Sequence, residues 1–142
     1  MRVVLDTNVI VDHMRARDIK CSEALTETIK RQHVAIVCEK LLREYRKILA
    51  GGNPQFHSFV DCHIMQLFQG KALLRFEDPK IRIDFGPQED RFHMQLAIDA
   101  GAAYHVTKDG EILAETDNMA RFGVNEAHPA TYVYKIQRER RR

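Results

Sequence analysis

The stretch RVVLDTNVIV, residues 2–11, decides how the rest of the chain is read. Val3, Val4 and Leu5 form an apolar run suited to a buried strand, and Val9, Ile10 and Val11 resume that character. Asp6, Thr7 and Asn8 interrupt it. A carboxylate between apolar segments is costly to desolvate unless hydrogen bonds or a cation offset the loss. Asp6 therefore either caps a turn or is placed to do chemistry.

With 142 residues the chain has the bulk for one domain with a real core. Apolar residues at 44% and charged residues at 30% exclude a disordered or fibrous chain. A net charge of +2 does not by itself mark a nucleic-acid binder. The charge is uneven, however. KIQRERRR closes the chain with Lys135, Arg138, Arg140, Arg141 and Arg142, so a domain is expected over 1–134 and a basic tail over 135–142. That tail reads as an interaction segment or as a solvated terminus. Cys21, Cys38 and Cys62 are widely spaced and odd in number, which argues for reduced thiols and against a disulfide framework or a zinc ribbon. The first apolar run is too short and too interrupted for a signal peptide, and no stretch approaches a membrane span. The chain reads as cytoplasmic, with no membrane partner.

Outward from residues 2–11 the elements alternate. SEALTETIKRQ (residues 22–32) predicts a helix that Ser22 caps, and VAIV (34–37) predicts a strand covered on both faces. EKLLREYRKIL (39–49) sets Leu41, Leu42, Tyr45, Ile48 and Leu49 at helical spacing, and AGGNP from Ala50 stops it. A further helix is expected over 56–68 and a strand over 72–76. After a polar loop, EDRFHMQLAIDA (89–100) predicts a helix, residues 103–107 a strand, the segment near Val124 another strand, and TYVYKIQRE (131–139) a last helix. Strands alternating with helices imply crossover connections, hence a three-layer α/β/α sandwich around a mostly parallel sheet. Sites in such sheets form at the carboxyl ends of strands.

Asp6 and Asp109 each directly follow a predicted strand, so both carboxylates should reach one rim, unless each only caps the next helix. Glu44 lies at the edge of the apolar stripe of its helix, with Lys40, Arg43 and Lys47 further round. Asp90 shares a face with Met94 and Ala97 in the first turn of its helix, where the dipole favours an anion; Glu89 is the alternative if the phase is shifted by one. Four carboxylates at one rim repel each other unless a cation compensates. Clustered oxygen donors suit Mg²⁺ or Mn²⁺, which can serve phosphodiester hydrolysis.

VVLDTNVIV, CEKLLREYRKIL and EDRFHMQLAIDAGAAYHVTKD occur in the order found in PIN domains, and from Arg2 to about Asn125 the chain resembles that family. These are small α/β nucleases, mostly ribonucleases, and many are toxins of toxin–antitoxin pairs. The resemblance implies that Asp6, Glu44, Asp90 and Asp109 hold Mg²⁺ or Mn²⁺ and carry catalysis, with Asn8 and Thr107 supporting. It further implies an RNA substrate, an antitoxin partner and a homodimer. Arg43, Arg46, Lys47, Arg91 and Lys108 are the candidate cations for the RNA backbone. The chain departs from the family at Cys38, where many relatives have Ser, and at Lys108, where Gly is frequent.

Other readings rank lower. A haloacid-dehalogenase-like phosphatase needs a second acid two residues after the first, and Asn8 stands there. There is no GxxxxGK[ST] loop for an ATPase. His57, Asp61, Cys62 and His63 on one predicted helix read as boundary residues before they read as a metal site. His93, one turn from Asp90, reads as a packed histidine or as a substrate contact or supporting group. The alternative from another class is a catalytically silent PIN-like module that binds RNA or a protein.

Overall fold

The computed structural model describes residues 1–51, 55, 62, 64–65 and 73–139. Its strands are β1 (Arg2–Leu5), β2 (Val34–Val37), β3 (Leu73–Arg75), β4 (Tyr104–Val106) and β5 (Asn125–Ala127). Among the described residues the helices are α1 (Thr7–Met14), α2 (Ile19–Lys30), α3 (Glu39–Leu49), α4 (Arg91–Asp99), α5 (Gly110–Leu113), α6 (Thr116–Ala120) and α7 (Pro129–Glu139). The sheet runs β3-β2-β1-β4-β5, and every neighbouring pair is parallel. The α/β/α expectation holds.

The strand order explains where a site can form. From β1 the chain steps one way to β2 and β3, then returns past β1 to β4 and β5. Parallel crossovers are right-handed, so connections stepping in opposite directions cover opposite faces of the sheet. The direction reverses between β1 and β4, which leaves a crevice beyond their carboxyl ends. Val3, Val4, Ile36, Val37 and Val106 are buried between the two helical layers. The apolar runs lack alternation for that reason.

The start of one helix departs from the sequence reading. Helix α2 starts at Ile19, not Ser22, and its cap is Asp18, whose carboxylate accepts from the Lys20 N–H at 2.9 Å. The extra turn opens on exposed Ile19, so no apolar spacing announces it. The Ser22 hydroxyl instead pairs with His13 Nδ1 at 2.8 Å. Helix α7 runs through Glu139 with Ile136 in the core, in keeping with the helix expected over 131–139; residues 140–142 lie outside the described ones. Of the helix expected over 56–68, Cys62, Ile64 and Met65 are helical and the other residues, with His57, Asp61 and His63, lie outside the described ones. No helix among the described residues is long and apolar enough to cross a membrane.

Candidate metal centre

The break in residues 2–11 is where β1 ends. The Asp6 N–H still donates to Val106 O at 2.9 Å, and from Thr7 the chain turns into α1. Asp6 is 5% exposed, and its carboxylate accepts from Thr7 N (2.6 Å), Asn8 Nδ2 (3.3 Å) and Thr107 Oγ1 (2.5 Å). Those bonds offset the burial of its charge and fix its direction. Thr107 is itself placed by β4 and also accepts from the Asp109 N–H at 3.0 Å. Asn8 Oδ1 accepts from the Lys108 N–H at 3.2 Å, so Asn8 and Thr107 tie the two strand ends together. Capping and site geometry coexist here: Asp6 caps α1 and Asp109 caps α5, the latter through Glu111 N at 2.9 Å.

Glu44 arrives from α3. Its neighbour Tyr45 is buried and donates its hydroxyl to Leu5 O at 2.7 Å, which pins this helix to the end of β1. Glu44 Oε1 then accepts from Thr7 Oγ1 at 2.7 Å and meets His93 Nε2 at 3.2 Å. His93 Nε2 also stands 3.5 Å from Asp6 Oδ1. One donor atom from each of Asp6, Glu44 and His93 lies within 4.8 Å of the other two. Burial alone would raise the Glu44 carboxyl, but the His93 contact outweighs it and holds the group below the usual glutamate range.

Asp90 ends a short 3-10 turn, Gln88–Asp90, ahead of α4. Unlike Asp6 and Asp109 it makes no side-chain capping bond, which leaves both oxygens for another partner. Burial raises its carboxyl, and repulsion from Asp6, Glu44 and Asp109 adds to the rise while His93 opposes it. The four acids therefore share one electrostatic field. The turn is held by Gly86, at φ +84° with Met94 packed against it, whose carbonyl accepts from Arg91 Nε at 3.0 Å.

Several of the candidate cations have acidic partners within the chain. The Lys108 ammonium is taken up by Asp12 (2.7 Å) and Asp18 (2.8 Å), acids of α1 and of the α2 cap. Arg43 and Arg46 both pair with Glu39, at 3.5 and 3.0 Å, while Lys47 is exposed. Cys38 caps α3 without a side-chain hydrogen bond, a bond that serine would supply. Thr7 is a site residue that the sequence reading gave no role, and His93, read as a packed histidine or as a substrate contact or supporting group, stands between Asp6 and Glu44. The available signal for His93 was its position one helical turn after Asp90, with Asp90, Met94 and Ala97 already assigned inward.

Fold and rim together define an α/β/α protein with a cluster of carboxylates and a histidine, able to hold a cation, at the switch point of its sheet. A sequence model of the PIN domain matches residues 2–111, well over half of the chain, and the protein belongs to the PIN domain family. Asp6, Glu44, Asp90 and Asp109 all lie within the matched residues. The family is nuclease-type and uses divalent metals. Comparison with curated proteins and with solved structures gave no match.

The donor set fits a divalent ion, since Asp6 and Glu44 offer oxygens, Asp90 is free of capping duty, and the acids repel one another without a cation. A divalent ion should therefore raise the melting temperature, by about 2.7 kcal/mol of stability when the ion is at about 100 times its Kd. Asp90→Asn should shrink that gain and raise the stability of the metal-free protein. The sign follows from the raised carboxyl: charged Asp90 opposes folding above its folded pKa, and protonation relieves it. The metal-free advantage of Asn should thus be full near neutral pH and vanish below about 3.8. Melting curves across pH, with and without Mg²⁺ or Mn²⁺, check both statements. No metal shift at millimolar ion counts against the site.

Lys108→Ala removes a brace between the loop carrying Asp109 and the two helices above it. It leaves Asp12 and Asp18 facing each other, so a loss of about 1–3 kcal/mol is expected in denaturant unfolding.

Proposed function

We propose that this PIN domain protein is an endoribonuclease that hydrolyses phosphodiester bonds of single-stranded RNA with Mg²⁺ or Mn²⁺, leaving 5′-phosphate and 3′-hydroxyl ends. The observation that carries this reading is the convergence of Asp6, Glu44 and His93 beside Asp90 and Asp109 at the crevice between β1 and β4. A bound ion would polarise the scissile phosphodiester and acidify the attacking water. The chain's own residues hold that charge in place. Thr107, Asn8 and the Thr7 amide fix Asp6, Thr7 Oγ1 fixes one oxygen of Glu44, and the turn braced by Gly86 and Arg91 presents Asp90.

Acids alone repel a phosphate backbone. Arg43, Arg46 and Lys47 on the helix of Glu44, and Arg91 beside Asp90, supply the opposing field, so binding should weaken steeply with salt. Lys108, tied to Asp12 and Asp18, serves as a brace in this account. A toxin role, an antitoxin partner and a homodimer belong to the same proposal and rest on the family. Leu41 of α3 is fully buried, so the apolar stripe of that helix faces the core. Exposed Ile19 and Ile48 are the apolar side chains of α2 and α3 that a partner would cover.

The test is cleavage of an end-labelled single-stranded RNA with each ion and with chelator. Ion-dependent fragments support the enzyme. Salt-sensitive binding without cleavage under either ion favours the silent RNA-binding module.

A further inference from the structure

The imidazole at the centre of the acid cluster has a consequence for which ion the site takes. His93 is fully buried, and its Nε2 points between Asp6 Oδ1 at 3.5 Å and Glu44 Oε1 at 3.2 Å. Bonds of about 2.1 Å meeting at about 90–110° put neighbouring donor atoms about 3.0–3.4 Å apart. The two separations thus suit donors sharing one ion as well as they suit hydrogen bonds. The opposite nitrogen, Nδ1, is buried and makes no hydrogen bond. Which ring nitrogen carries the proton is normally set by the bond the other one makes. The two carboxylates are acceptors for a proton on Nε2, and an ion seated among the three groups would displace that proton and leave the neutral ring protonated on Nδ1.

The surroundings hold the ring where it is. Phe92 packs on one side with ring centroids 4.1 Å apart, and His105 stacks on it at 6.0 Å and 19°. The ring is therefore presented to the acids in a fixed orientation, a condition for a ligand.

We infer that His93 is a nitrogen ligand of this site, so that the protein takes a first-row transition ion, from Mn²⁺ to Zn²⁺, in preference to Mg²⁺. The inference rests on the metal-dependent reading above and narrows its cofactor. The chemistry is direct. Mg²⁺ favours an all-oxygen octahedron and keeps several waters, whereas imidazole is a borderline donor that adds affinity along the first-row series. The other reading, that His93 only donates a hydrogen bond to the two acids, gives a site of oxygen ligands with no nitrogen on the ion and a weaker preference.

The experiment uses the whole protein and Mn²⁺ alone, without RNA. Pulsed electron paramagnetic resonance of bound Mn²⁺ should show a directly coordinated nitrogen, and isotope labelling of histidine nitrogen should change its modulation. His93→Leu should abolish that signal and lower the ratio of Mn²⁺ to Mg²⁺ affinity at least about tenfold in competition titrations. The labelled parent protein decides the matter even if the variant folds poorly. Mn²⁺ bound without a histidine nitrogen overturns the inference and leaves the carboxylate site standing. Failure to bind either ion at millimolar concentration overturns the inference and the metal-dependent reading together.

Discussion

Glu126→Ala is expected to cost about 3–5 kcal/mol, a large share of the stability of a chain this size. Glu126 and His105 face each other across β4 and β5 in register, with Nδ1 at 2.9 and 2.8 Å from the two carboxylate oxygens and both side chains fully buried. Burial pushes the His105 imidazole down, but the Glu126 carboxylate outweighs it, with Asp6 and Asp90 adding, so the group stands above the usual histidine range. Truncating one partner strands the other in the core. Replacing both, as His105→Leu with Glu126→Val, should recover most of the loss, because paired apolar side chains avoid desolvating two charges. The pH dependence has a definite sign. A raised histidine contributes stability that is complete below its unfolded value of 6.5 and lost as pH rises through the folded pKa. The Glu126→Ala deficit should therefore be largest in acid below that value and shrink at alkaline pH. Denaturant unfolding of the two single variants and the double one checks it, and equal stability of Glu126→Ala and the parent would refute the pairing.

Asp6→Asn is expected to lower RNA cleavage by about a thousandfold or more, since charge stabilisation by a held ion is worth several kcal/mol. The same change should alter stability by less than about 1 kcal/mol. The Thr107 hydroxyl can rotate to accept from the new amide, the Thr7 N–H keeps an acceptor, and one repulsive charge leaves the rim. Loss of activity at unchanged melting temperature separates a role in the site from a role in folding. A variant that melts many degrees lower would instead show Asp6 to be chiefly a cap.

Much of this fold is written in local patterns, and much of the site is not. The all-apolar runs at Val3–Leu5 and Val34–Val37 announced buried parallel strands, because both faces of the sheet are covered. Asp6 was legible as a break in such a run, and Glu44 as an acid on the edge of an apolar stripe. What was missed around the site and in the core shares one cause, which is contact between residues distant in sequence. Nothing near Lys108 hints that Asp12 and Asp18, roughly a hundred residues earlier, take up its charge. Only the β4–β5 register sets Glu126 opposite His105, and a glutamate in a three-residue strand reads locally as a solvated edge. His93 sat beside Asp90 in the reading, yet its part in the cluster depends on Tyr45 anchoring α3 across the sheet. The missed start of α2 is local, and it follows from an exposed isoleucine where an apolar face was sought.

The central claim is that acids gathered at the crevice between β1 and β4 run ion-dependent hydrolysis of RNA. An end-labelled single-stranded RNA, incubated with the parent and with Asp6→Asn in Mn²⁺ and in chelator, tests it most directly. The expected result is fragments with 5′-phosphate and 3′-hydroxyl ends from the parent in Mn²⁺ alone, and none from Asp6→Asn. Equal cleavage by parent and variant, or cleavage that persists in chelator, would contradict the account.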